Sequence, residues 1–76
     1  MKYNLIKIIK KKFPKLKNDK IKINSELLND FILDSLEMMQ LIDLLEKNYS
    51  FSLKKYSKKF KDFKIKNIEN YINQKN

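Results

Sequence analysis

Asp34-Ser35-Leu36-Glu37-Met38-Met39-Gln40-Leu41-Ile42-Asp43-Leu44-Leu45-Glu46-Lys47-Asn48-Tyr49 is the stretch whose reading decides the fold of this 76-residue chain. Stepping about 100° per residue groups Met38, Leu41, Ile42, Leu45 and Tyr49 on one arc, the periodicity of a core-facing amphipathic helix. The spacing predicts a helix from Ser35 to Asn48. Its opposite arc carries Gln40, Asp43, Glu46 and Lys47 but also Leu36 and Met39, an apolar pair ringed by charge that suits a docking surface. Asp34 followed three residues later by Glu37 is the pattern of a capping box, in which each side chain accepts from a backbone N–H left free at the helix start. On this local pattern alone, Ser35 is a helix-start residue and nothing more.

The surroundings of this helix have the opposite charge. No lysine lies between Ile23 and Glu46, and that gap holds Glu26, Asp30, Asp34, Glu37, Asp43 and Glu46, six of the nine acids in a chain with 18 lysines and a net charge of +9. Such a charge ordinarily points to nucleic acid or an anionic membrane as partner. The lysine content is better read together with the complete absence of Ala, Gly and Arg and the abundance of Asn, Ile, Phe and Tyr, the bias that A/T-rich codons produce. Without arginine the chain also lacks the preferred bidentate reader of phosphate and guanine.

Histidine and cysteine are both missing. Disulfides, thiolate metal sites, Cys/His nucleophile pairs and imidazole acid–base chemistry are therefore excluded, and no catalytic or metal-ligating set is expected. Uninterrupted apolar runs are no longer than three residues, far below the roughly 20 needed to span a bilayer. No membrane insertion is expected. Lys7 and Lys10 to Lys12 interrupt any signal-peptide core near the N-terminus, which leaves a cytoplasmic location as the expectation.

Upstream, Leu5, Ile6, Ile8, Ile9 and Phe13 share an arc within Lys2 to Phe13, opposite Lys7, Lys10 and Lys11, so a first amphipathic helix is expected, stopped by Pro14. Between Pro14 and Leu33 no period is sustained. This reads as a long loop anchored by Ile21, Ile23, Leu28 and Phe31, with a short turn between Ser25 and Asn29; loops of that length are often functional. Downstream, Tyr56, Phe60 and Phe63 mark a short helix within Lys54 to Lys64, and Ile65, Ile68 and Ile72 with Tyr71 mark a closing helix from Ile65 to Gln74. The expected architecture is a single all-α domain, a small four-helix bundle with a long loop between helices 1 and 2 and a short third helix.

With these residues in view, the chain resembles the acyl carrier proteins, whose motif is an Asp-Ser-Leu at the start of the second helix after an acid-containing turn. Here that region reads Asp30-Phe31-Ile32-Leu33-Asp34-Ser35-Leu36. The helix from Glu37 to Tyr49 follows the family's pattern of apolar core positions and exposed acids closed by an aromatic. Ile68-Glu69-Asn70-Tyr71-Ile72 is similar to the family's last helix, and length and helix order agree over nearly the whole chain.

The resemblance implies 4'-phosphopantetheine joined covalently to Ser35, with Asp34 and Leu36 beside it, carrying acyl or aminoacyl groups as thioesters. It implies a partner face of Leu36, Glu37, Met39, Asp43 and Glu46, read by a phosphopantetheinyl transferase and by enzymes that load or transfer the acyl group. A monomer that is a carrier and not an enzyme is expected, and six carboxylates gathered around one helix start in a chain without arginine leave no specific nucleic-acid partner expected.

Two departures accompany the likeness. The family usually has glycine where this chain has Ile32, so the turn into Ser35 must form without a permissive residue. Family members are also typically acidic, whereas this chain is basic outside its second helix, which points to a specialised paralogue. Two other readings stay open: a small basic module binding nucleic acid or anionic lipid through Lys7, Lys10, Lys11, Lys12, Lys54, Lys55, Lys58 and Lys59, and an unmodified adaptor of the same fold.

Overall fold

The computed structural model describes residues 2–74. Among these residues four α-helices follow one another, α1 (Leu5–Lys12), α2 (Ser35–Asn48), α3 (Leu53–Lys59) and α4 (Ile65–Gln74), with a single 3-10 turn at Pro14–Leu16. Among the described residues there is no strand, only one antiparallel bridge between Glu26 and Lys64. The protein is all-α, with helix bounds for α2 and α4 where the apolar periodicity places them.

Each helix start has an identifiable polar partner. Asn4 caps α1 by accepting from Lys7 N at 3.2 Å, and Ser52 caps α3 by accepting from Lys55 N at 3.3 Å. The first turn of α1 has no acid of its own; Glu69 on α4 provides one, its Oε2 accepting from Leu5 N at 2.9 Å. A carboxylate there complements the positive end of the helix dipole, while Lys10, Lys11 and Lys12 occupy its negative end. Asn73 strengthens the same junction, accepting from Tyr3 N at 2.7 Å and donating to Tyr3 O at 3.1 Å. Asn4 as cap explains why α1 is shorter than its apolar arc.

The core is drawn from every element. Leu5 and Ile9 of α1, Leu41 and Leu45 of α2, Tyr56 of α3 and Ile65, Ile68 and Ile72 of α4 are all essentially inaccessible to solvent. An aromatic cluster closes one side: Tyr56 packs on Phe51, Phe60, Phe63 and Tyr71 with ring centroids 4.9–5.8 Å apart, within the range favoured for ring pairs. Burial, with the nearby charges of Asp62 and Glu26, pushes the Tyr56 phenol well above its usual range. It stays protonated and donates to Asp62 O at 2.8 Å.

The connection from α1 to α2 is long but far from structureless, and its anchors differ from those expected. Leu16, Leu27 and Leu33 are buried, Ile21 and Leu28 are half-buried, and Ile23 and Phe31 face solvent. The cause is a turn built on two acids. Glu26 Oε1 accepts from Leu28 N and Asn29 N at 2.6 and 2.7 Å, its Oε2 accepts from Phe63 N at 3.2 Å, and Asp30 Oδ2 accepts in turn from Glu26 N at 2.7 Å. Leu27 N reaches Phe63 O at 3.1 Å, and Ile65 N and Lys66 N reach the carbonyls of Ser25 and Ile23 at 3.0 and 2.9 Å. The loop is thus fastened to the start of α4.

In a chain with no glycine, left-handed turns fall on ordinary residues. Among the described residues these are Phe31, with φ 57°, and Ser50, with φ 54°. Ser50 follows the end of α2, where such a conformation is commonplace. Phe31 has no such excuse: a bulky side chain there costs about 1–3 kcal/mol. The strained residue in the turn before α2 is therefore Phe31 and not Ile32.

Candidate functional site

The start of α2 is organised by Asp34 and Glu37. Asp34 Oδ1 accepts from Glu37 N at 2.8 Å, and Glu37 Oε1 accepts from Asp34 N at 3.0 Å, a complete capping box. Asp34 is thus the cap, and Ser35 is the first helical residue. Ser35 is exposed, and among the described residues its hydroxyl takes part in no hydrogen bond. The backbone N–H groups of Ser35 and Leu36 likewise have no acceptor there. Two free donors at the positive end of a 14-residue helix, next to a free hydroxyl, make an environment that favours an attached anion.

Glu37 is doubly committed. Besides the capping box, its Oε2 pairs with Lys15 Nζ, which the 3-10 turn after Phe13 brings to this end of α2. The hydrogen bond to Glu37 raises the Lys15 ammonium above its ordinary value, while Lys15, followed by the Asp34 backbone, lowers the Glu37 carboxyl. Both groups stay charged across the neutral range. The ion pair weakens as pH falls through the lowered Glu37 value, or as it rises through the raised Lys15 value.

The solvent arc of α2 is as the periodicity predicts. Leu36 is 64% and Met39 67% exposed, and with Ile42 and Leu53 they line a shallow depression of about 510 Å³ rimmed by Gln40, Asp43 and Glu46. Its two rim carboxylates differ in freedom. Among the described residues Asp43 is engaged only by exposed Lys47, 3.1 Å away and one turn on. Glu46 Oε2 accepts from Leu53 N at 3.1 Å and so helps start α3. Of the acids grouped around this helix by sequence, Glu26, Asp30, Asp34, Glu37 and Glu46 all have structural work, and Asp43 is the one most available to a partner. The signal that could have exposed the role of Glu26 and Asp30 is their four-residue spacing, which lets each brace the other across one turn.

A second depression lies toward the other end of α2. Lys7, Lys11 and Lys12 rim an apolar floor of Ile8, Leu44 and Tyr49 in a cleft of about 420 Å³. Leu44 is nine residues beyond Ser35, roughly 13 Å along the helix axis. Among the described residues no group of three or more acids could hold a metal ion, and no helix is long and apolar enough to cross a membrane. No family model matches the chain, and neither a curated protein nor a solved structure matches it.

Proposed function

We propose that the chain is a carrier protein of acyl-carrier type, modified on Ser35 by 4'-phosphopantetheine and presenting acyl or aminoacyl groups to partner enzymes. The observation that carries this reading is the division of labour at the start of α2: Asp34 does the capping, so the fold has no use for the Ser35 hydroxyl. A serine needed only as a cap would be making that bond itself.

The residues present fit the group. The free N–H donors of Ser35 and Leu36 and the helix dipole would hold its phosphodiester, and Lys15 adds positive charge on the far side of Glu37. When bound, the cofactor supplies a thiol, which this cysteine-free chain lacks, and that thiol carries the cargo as a thioester. The protein's own part is to hold the attachment point on a rigid helix start and to offer an address. Leu36 and Met39 provide apolar contact and Asp43 and Glu46 provide charge, while tethering raises the effective concentration of cargo at a docked enzyme.

Incubation with coenzyme A and a phosphopantetheinyl transferase, read by intact mass, tests the reading. The wild-type protein is expected to gain one phosphopantetheine, and Ser35→Ala to gain none. No gain in the wild type, or an equal gain in Ser35→Ala, overturns it.

The basic cleft favours a second reading, a module for polyanions. Its lysines are three of 18, none replaced by arginine, and the floor they surround is aliphatic apart from Tyr49, unlike the aromatic stacking platform of a dedicated single-strand reader. Nucleic-acid binding is therefore expected to be weak, indifferent to sequence and lost steeply as salt rises. Tight, sequence-selective association in a titration at near-physiological salt would put the second reading first.

A further inference from the structure

Phe31 violates two rules at once. It holds a left-handed backbone, φ 57°, that glycine adopts without steric cost, and its ring is 91% exposed, the most of any large apolar side chain among the described residues. Neither the backbone nor the core gains from a phenylalanine at this position.

Nor is the exposure an accident of a slack loop. Phe31 N donates to Leu28 O at 3.1 Å, Asp30 N to Glu26 O at 3.0 Å and Leu33 N to Leu27 O at 2.9 Å, while Asp30 and Glu26 brace the same turn from their side chains. Leu27 and Leu33 on either side are buried. The turn is over-determined, and what it does is hold one ring out in water.

We infer that Phe31 is an anchor for the phosphopantetheinyl transferase, its ring entering an apolar socket on that enzyme, a step that rests on the carrier reading of Ser35. Phe31 precedes Ser35 by four residues, so their Cα atoms are at most about 14 Å apart. An enzyme that reaches the Ser35 hydroxyl covers the surface around it, and a footprint of about 800 Å² has a radius of roughly 16 Å. Phe31 falls inside such a footprint. Exposed carboxylates of Asp30 and Asp34 flank it in the chain, and Asp43 extends the acidic surface along α2. The fitting occupant is therefore a socket with a cationic rim, and an exposed aromatic is the residue type that most often dominates contact energy in an interface.

The test separates fold from function by their opposite signs. Phe31→Gly relieves the left-handed backbone and removes almost no buried surface, so its thermal midpoint is expected to hold or rise by about 2–5 °C. Its rate of Ser35 modification at sub-saturating protein is expected to fall at least fivefold, through KM more than kcat and with little salt dependence. Phe31→Tyr, which keeps the ring, should restore the rate. An unchanged rate in Phe31→Gly, with the wild type modified normally, overturns the anchor and leaves the carrier reading standing. A clear drop in midpoint for Phe31→Gly also overturns it, because the ring would then serve the fold. No modification of the wild type overturns the carrier reading and the anchor with it.

Discussion

Leu41→Ala is expected to lower unfolding free energy by about 3–4 kcal/mol. Leu41 is 0% exposed at the middle of α2, and its side chain faces the shared interior where α1 and α4 contribute Ile9 and Ile68. Removing three carbons there forfeits the transfer energy and leaves a cavity that helices fastened at both ends cannot easily collapse. A domain of this length has about 4–11 kcal/mol in total, so the variant loses a large share of its margin. Urea denaturation followed by far-UV circular dichroism should show the midpoint falling with the slope unchanged. Leu36→Ala is the matched control on the same helix: 64% exposed, it should shift stability by no more than about 0.5 kcal/mol. Equal losses for the two would mean that the buried and exposed arcs of α2 are wrongly assigned.

Asp43→Lys combined with Glu46→Gln should slow modification of Ser35 by about tenfold or more at low salt. The pair changes the local charge by three units on the rim of the Leu36–Met39 depression. Glutamine is chosen at position 46 because its amide oxygen can still accept from Leu53 N, the bond that helps start α3, so a rate effect is not confused with a loosened helix junction. Exposed charges act mainly on encounter, and the deficit should shrink as ionic strength passes about 0.15 M, where the Debye length is near 8 Å. This salt dependence is the counterpart of the salt-insensitive loss expected for Phe31→Gly. Rates that match the wild type at every salt concentration would mean that partners do not read this face.

The two longest helices, α2 and α4, were legible to the residue, because apolar spacing and the Asp34–Glu37 box act locally. So was the exposure of Leu36 and Met39, which follows from the same helical geometry. What escaped was the connection between α1 and α2. Loop residues have no fixed period, so nothing local distinguishes Leu27, which is buried, from Leu28, which is half so. That choice is made by Glu26, whose carboxylate gathers three backbone donors, one of them 37 residues away. Sequence grouped Glu26 and Asp30 with the other acids as one electrostatic feature, whereas the fold uses them as braces. The position of the strained residue escaped for the same reason: without a glycine to mark it, only the closed turn tells Phe31 from Ile32.

The bonds that fasten this loop to the start of α4 also set an order of events during synthesis. A ribosome delivers α2 and Ser35 well before residues 63–66, whose backbone groups complete the turn around Glu26 and Leu27. Until then α2, a 14-residue helix of a length marginal in water, lacks α4 beside it, and only the bonds within residues 26–33 hold Phe31 in its left-handed shape. A nascent chain therefore displays the serine without the surface that surrounds it in the finished protein. On the carrier reading, an enzyme that recognises that surface passes over incomplete or prematurely terminated chains, and attachment of the cofactor becomes a check on completed folding.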